Sequence, residues 1–215
     1  MTAALLQALD LAERLDQGSR ILGVPLPEKS LSKLTRLIGL IDKWNRVYNL
    51  TAIRDAPHMV SGHLLDCLAI VPHIAGPRLL DVGSGAGLPG IPIAVARSEL
   101  HVTLLDSSHK KAAFLRHAAA ELQLQNVSVV CERVENWRPP GRFDCIISRA
   151  FAEMREFVTS SSHLLAPGGF FASMKGLYPF EEIDRLPGNF RVSDVIRLEV
   201  PLLSAERHLV LIRPT

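Results

Sequence analysis

The run Leu79-Leu80-Asp81-Val82-Gly83-Ser84-Gly85-Ala86-Gly87-Leu88-Pro89-Gly90 constrains this chain more than any other segment. A short apolar stretch breaks into four glycines within eight residues and then opens an apolar helix-like run. Turns need one or two glycines, so this density points to backbone lying close to a ligand. A second apolar run, His101 to Leu105, ends at Asp106. A carboxylate there, about twenty residues beyond the glycines, can accept hydrogen bonds from both hydroxyls of a ribose. Strand, glycine turn, helix, strand and acid together predict a nucleotide-type cofactor with a free ribose.

Two cofactor classes fit that layout. Gly85-Ala86-Gly87-Leu88-Pro89-Gly90 spells the GxGxxG of dinucleotide folds, with Asp106 at a suitable distance. Asp81-x-Gly83-x-Gly85-x-Gly87 uses more residues, placing an acid two positions ahead of three alternating glycines. It resembles the first motif of class I S-adenosylmethionine (AdoMet) methyltransferases, and such an acid can hold the cofactor's ammonium directly or through water. On this reading Gly83, Gly85 and Gly87 offer bare amides to the ligand.

The surrounding pattern supplies the frame. At 215 residues with 47% hydrophobic side chains, the chain has material for one α/β domain and an appendage. Residues 3 to 16 and 27 to 48 show helical spacing, the second with a stripe of Leu31, Leu34, Ile38 and Ile41 flanked by Leu37, Trp44 and Tyr48. Asp55 with Pro57 opens a third helix that runs to Pro72. Residues 1–75 are therefore expected to be a helical segment packed on a core at 76–215. Beyond Gly76-Pro77 the rhythm alternates, with strands near 78–82, 101–105, 127–131, 143–148 and 169–174 and helices near 89–97, 108–122 and 153–165. That order predicts a mostly parallel sheet covered on both faces, with ligands at the strands' carboxyl ends. Strands at 192–200 and 207–212, with no helix between them, predict an antiparallel hairpin.

Composition and spacing narrow the chemistry. Cys67, Cys131 and Cys145 form no CxxC, and the last two sit in apolar β-like runs where a reduced thiol acts as a small hydrophobe. A reducing cytoplasmic setting is expected. No apolar run approaches membrane-spanning length, and Asp10, Glu13 and Asp16 interrupt the place of a signal-peptide core. The eight histidines include neither HExxH nor a zinc spacing with cysteine, so no metal is expected. Net charge is only +2 and evenly spread, which neither demands nor excludes an RNA substrate.

Phe143 to Ser148 is followed by Arg149-Ala150-Phe151, without the Asn/Asp/Ser-Pro-Pro-Phe/Tyr segment by which many enzymes read an exocyclic amine. Cys145 lies inside a predicted buried strand, which argues against a nucleophilic cysteine. His63 is either a partner of Asp66 or a residue facing the cleft. Lys110, Lys111 and Arg116 open the helix after Asp106, as a solvated face or as phosphate contacts beside the cofactor mouth. Lys175 stands at the end of the fifth strand, an unusual place for a lysine.

With these residues assembled, the chain resembles the bacterial RsmG (GidB) family, which methylates N7 of a guanosine in 16S ribosomal RNA. The resemblance rests on Trp44-Asn45 with Tyr48 to Asp55, His63-Leu64-Leu65-Asp66, Leu80 to Pro92, Leu104 to Ser107 and Arg133-Val134-Glu135. It continues through Ile147 to Phe151, Met174-Lys175-Gly176 and Glu206 to Val210. It implies a class I AdoMet-dependent (Rossmann-like) fold with AdoMet on Gly83, Leu88, Val134, Glu135 and Arg149, beside Gly85, Gly87 and Asp106 from the motif itself. It implies 16S rRNA as partner, within the small ribosomal subunit or an assembly intermediate. Guanine N7 carries an in-plane lone pair and no proton, so transfer needs positioning rather than a base, and orientation alone supplies up to about 7 to 11 kcal/mol. Arg149, Lys175 and His63 are assigned to positioning the substrate, and Lys110, Lys111 and Arg116 to the RNA. A methyltransferase for a small molecule or protein, a nicotinamide oxidoreductase and a non-catalytic assembly module are the competing readings.

Overall fold

A computed structural model describes residues 10–149, 151 and 153–215. Half of the expected first helix, and Ala150 of the Arg149-Ala150-Phe151 motif, lie outside these. The described part of that helix, α1 (Leu11–Ile21), runs past the expected end at residue 16. Asp10 caps it, accepting from Glu13 N, which satisfies one of the donors left open at a helix start.

Helix α2 (Glu28–Tyr48) buries Leu34, Leu37, Ile38 and Ile41 on one face and ends where Asn49 turns left-handed at φ 50°. Leu31 and Trp44 are half-buried, whereas Tyr48 faces solvent. The expected third helix forms as three pieces: α3 (Ala56–Met59), a π-helical stretch Val60–Leu65, and α4 (Asp66–Leu68). A π-helical stretch widens the turn and is often associated with functional sites, and this one carries His63.

The sheet contains β1 (Arg78–Val82), β2 (His101–Leu105), β3 (Val127–Val130), β4 (Phe143–Ser148), β5 (Leu165–Lys175), β6 (Phe190–Arg197) and β7 (His208–Pro214). Their order is β3-β2-β1-β4-β5-β7-β6, parallel through β5 and antiparallel thereafter. This is the mostly parallel sheet with a C-terminal hairpin expected of a class I methyltransferase. β7 returns between β5 and β6. The helices α5 (Gly90–Ala96), α6 (His109–Glu121) and α7 (Met154–Ser161) form the crossovers, and a short helix α8 (Phe180–Asp184) follows β5.

Alternating strand residues feed two cores, as the period of two requires. Leu79, Val102, Cys145, Ile147, Ala172 and Leu209 join α1, α2, α5 and α6 on one face. Leu80, Leu105, Ile146, Phe171 and Val210 join Met154, Phe157 and Val158 of α7 on the other. Trp44 of α2 meets the ring of Phe114 in α6 at 5.5 Å between centroids, so the N-terminal helices share the first core. Cys145 is fully buried and its thiol is pushed well above the usual range by burial. Cys131 departs from expectation: β3 ends one residue earlier, and its half-buried sulfur lies 3.4 Å from His109 Nδ1.

Candidate active site

The carboxyl ends of β1, β2 and β3 surround a cavity of about 420 Å³ lined by Gly83, Asp106, Lys111, Val134, Glu135 and Phe151, among others. A larger hollow of about 540 Å³ lies beside the β6–β7 connection, away from these strand ends. The motif residues and the parallel-sheet rule both favour the smaller one as the site.

The four glycines divide by what a side chain would meet. Gly83 has φ +72° and open space where a Cβ would lie, and Gly85, at φ +55°, would meet nothing nearer than a carbonyl at 3.7 Å. These two leave a cradle that a ligand can fill. A Cβ on Gly87 would come 2.3 Å from Ile91 Cδ1, and one on Gly90 would come 2.3 Å from Leu104 Cδ2 and 2.8 Å from Asp81 Oδ2. Gly87 and Gly90 therefore let α5 pack tightly. The expectation of bare amides is corrected as well. Gly83 N and Ser84 N donate to Leu105 O, Gly87 N and Leu88 N to Ser84 O, and Gly85 N to Asp106 Oδ2. The turn is closed by hydrogen bonds to Ser84 within it and to Leu105 and Asp106 at the end of β2, and presents Cα surface to a ligand. Leu88 is buried in the first core and does not line the cavity.

Asp106 accepts from Gly85 N at 3.0 Å on Oδ2 and from Ser108 N at 2.9 Å on Oδ1. A carboxylate has about four acceptor positions, so capacity remains for two hydroxyls at the cavity wall. Lys111 Nζ stands 3.9 Å from Oδ2. Lys110 and Arg116 are exposed, and at 3.6 residues per turn Arg116 points about 140° away from Lys111. Of the three basic residues, only Lys111 borders the cavity.

Asp81 is fully buried. Oδ2 accepts from Gly90 N at 2.9 Å, while Oδ1 has no partner among the described residues. Burial pushes its pKa up to about 7, with Asp106 acting in the same direction and the Gly90 and Ser84 hydrogen bonds and Arg149 opposing it. A buried carboxylate oxygen without a donor is costly, and a ligand ammonium, met directly or through water, would satisfy it. Together with the cradle at Gly83 and Gly85, this donor set fits AdoMet.

Arg149 lies on the other side of the glycine turn. Asp81 is level with Ile147, and Ser148 Oγ donates to Val82 O at 2.9 Å, which brings Arg149 alongside Gly83. Its guanidinium is 3.6 Å from Asp66 Oδ2 and 3.3 Å from Gly62 O. Arg207, at the start of β7, donates through Nε to Asp66 Oδ1 at 3.1 Å. Two arginines thus share one buried carboxylate, whose pKa burial raises against the pull of both.

The alternatives for His63 resolve into a third arrangement. Its Nδ1 is 2.9 Å from Gly62 O and 3.3 Å from Arg149 Nη1; a proton on Nδ1 serves the nearer carbonyl. Nε2 then accepts from the Thr51 hydroxyl at 2.8 Å. Burial first, then Arg149, lowers its pKa to about 4. Asp66 pairs with the arginines instead. Lys175 is likewise partnered: Nζ reaches Glu182 Oε2 of α8 at 2.7 Å, and the same oxygen accepts from Met154 N at 2.8 Å. Asp66 and Arg207 are 141 positions apart, and no local signal could have joined them. Glu182 belongs to α8, a helix too short to show a period.

Comparison with known proteins agrees with this geometry. A family model described as GidB, rRNA small subunit methyltransferase G, matches residues 30–210. A protein of Laribacter hongkongensis named ribosomal RNA small subunit methyltransferase G is 52% identical over 202 residues, covering 94% of this chain and 98% of its own. One of the same name from Chromobacterium violaceum is 54% identical over 197 residues, covering 91% and 94%. The crystal structure of an AdoMet-dependent methyltransferase from Aquifex aeolicus shares the fold with a TM-score of 0.54 at 18% identity, over 73% of this chain and 93% of that one.

Proposed function

The chain belongs to the GidB family, rRNA small subunit methyltransferase G, and from that premise we propose that it methylates N7 of one guanosine in 16S ribosomal RNA, using AdoMet bound in the cavity at the ends of β1 to β3. The observation that carries the site assignment is the pairing of an open cradle over Gly83 with the unpartnered Oδ1 of Asp81. The nicotinamide alternative has no support in these relatives.

Bound AdoMet supplies an electrophilic methyl group on a sulfonium. Gly83 and Gly85 let the ligand lie against the turn, Asp106 accepts from the ribose hydroxyls, and Val134 and Glu135 flank the base. Arg149 separates this cofactor side from β5 and β7, where the guanine enters. Its pairing with Asp66 keeps the guanidinium from swinging into the cavity. His63 remains neutral with Nδ1 on Gly62 O and Nε2 on the Thr51 hydroxyl, so it holds Thr51 in place and does not take a proton. Guanine N7 has none to give. Lys175, held by Glu182, stands beside the entry, and Lys111 adds positive charge at the cofactor mouth, with Lys110 next to it for the RNA backbone; Arg116 faces about 140° away on the same helix.

The small subunit or an assembly intermediate is the proposed substrate form, and the cytoplasm the proposed setting. Among the described residues no helix is long and apolar enough to cross a membrane. The test is transfer of labelled methyl from AdoMet to small subunits lacking the modification, followed by nucleoside analysis and borohydride–aniline cleavage. The expected product is 7-methylguanosine at one site. 5-Methylcytidine or N6-methyladenosine, or label confined to protein, would refute the reading.

A further inference from the structure

Lys175 ends β5 directly opposite His208 of β7, and the chain beyond it carries Leu177, Tyr178 and Phe180 into solvent. Phe180 is 71% exposed and Leu177 76%, although each could have been placed in a core. The Tyr178 and Phe180 rings lie 4.3 Å apart between centroids, tilted by 38°. His208 supports Tyr178 from below at 5.6 Å, edge to face, and is itself tied by Nδ1 to Gly176 O at 2.9 Å. Pro179, between the two rings, is buried. Glu182 anchors the following helix to both Lys175 and Met154 N. Tyr178 is therefore backed by the buried His208, and Phe180 lies against Tyr178 with most of its ring in solvent.

We propose that Tyr178 and Phe180 form a stacking platform for an unpaired RNA base flanking the target guanine, an inference that rests on the RNA reading above. Three features select this occupant. The platform stands at the carboxyl edge of the sheet, at β5, two strands from β1. Adjacent strands lie about 4.8 Å apart, so the end of β5 lies roughly 10 Å across the sheet from that of β1, beyond β4 and Arg149, and the rings follow within five residues. That offset suits a neighbouring nucleotide better than the target itself. Cationic groups stand near the segment, each already paired: the Arg207 guanidinium, on Asp66, lies 3.9 Å from the position a Gly176 Cβ would take, and Lys175, on Glu182, ends the same strand. Arginine and lysine beside exposed aromatics are what a single-stranded nucleic acid uses, phosphate on the charges and base on the rings. The patch is also small. A stable protein partner needs about 1,200 Å² or more of buried surface, which three side chains within four residues do not approach.

The test compares Phe180→Ala, Tyr178→Ala and the ring-retaining Phe180→Trp with the unchanged enzyme. Small ribosomal subunits lacking 7-methylguanosine serve as substrate and as the ligand in filter-binding titrations. Loss of base–aromatic stacking is expected to raise KM and the dissociation constant for the subunits about tenfold or more in each alanine variant. The turnover number, AdoMet affinity and thermal midpoint should stay unchanged, and Phe180→Trp should restore the wild-type KM. Wild-type KM and subunit affinity in both alanine variants overturn the platform while leaving the RNA reading intact. Failure of the unchanged enzyme to methylate subunits overturns both. Conversion of a dimer to a monomer by Phe180→Ala, with normal subunit binding, overturns the proposal and assigns the rings to a second copy of the chain.

Discussion

Asp81→Asn probes the buried carboxylate two residues ahead of the glycine turn with the smallest possible change. In the native protein Oδ2 receives Gly90 N, and Oδ1 has no hydrogen-bond partner among the described residues. The asparagine oxygen can keep the Gly90 bond, so the start of α5 stays in place. The amide NH2 then replaces Oδ1, turning the acceptor offered to a ligand ammonium into a donor. Losing a hydrogen bond to a charged group costs about 1.5–3 kcal/mol, or about ten- to a hundredfold in AdoMet affinity. A second signature follows from the raised pKa near 7. The free protein holds a proton on Asp81 that must leave before the ammonium can pair; Arg149 favours that loss and Asp106 opposes it. Between pH 6 and pH 8 the carboxyl passes from mostly protonated to mostly ionised, so affinity should rise about tenfold over that window. The asparagine variant should show no such rise. Stability moves the other way. Native Asp81 retains its proton above the ordinary value of 3.8, so it detracts from stability as pH climbs from there through 7. Asp81→Asn should therefore unfold at an equal or higher urea midpoint at pH 8. Calorimetric titration at several pH values together with urea unfolding measures both. Unchanged affinity with an unchanged pH slope would show that Asp81 serves only to cap α5.

The two kinds of glycine should separate experimentally. Gly87→Ala is expected to lower the thermal midpoint strongly, because its Cβ would fall 2.3 Å from Ile91 Cδ1 at φ +77°. Gly83→Ala should cost only the left-handed strain of about 1–2 kcal/mol while sharply weakening AdoMet binding, as calorimetry would report. Asp66→Ala leaves Arg149 and Arg207 facing each other without their carboxylate and should destabilise by about 3 kcal/mol in urea unfolding, the low end for a broken buried pair because both arginines are partly exposed. Lys175→Ala should lower methyl transfer and also lower stability by about 1 kcal/mol, since it strands Glu182; an unchanged unfolding midpoint would show that the pair contributes nothing to the fold. Cys145→Ala, in a core strand, should retain turnover and form the same product.

The order of strands and helices was legible in the chain because hydrophobic period and glycine punctuation are local properties, set by residues a few positions apart. The glycine turn, Asp106 and the family motifs were legible for the same reason. Covalent order did not reveal that β7 would slip between β5 and β6, since either member of the hairpin has an alternating apolar face. Nor did it separate Gly83 from Gly87, which differ only in what stands opposite them: open space for one, Ile91 and Leu115 for the other. Sequence proximity offered Asp66 as one of two partners for His63, the cleft being the other. In the fold Asp66 turns to Arg149 and Arg207, 83 and 141 positions away, because a buried carboxylate takes the strongest donors within reach. Segment type could be read from neighbours along the backbone, whereas the partners of each buried charge and the rings left in solvent were settled only when distant strands met, because burial and pairing depend on what arrives across space.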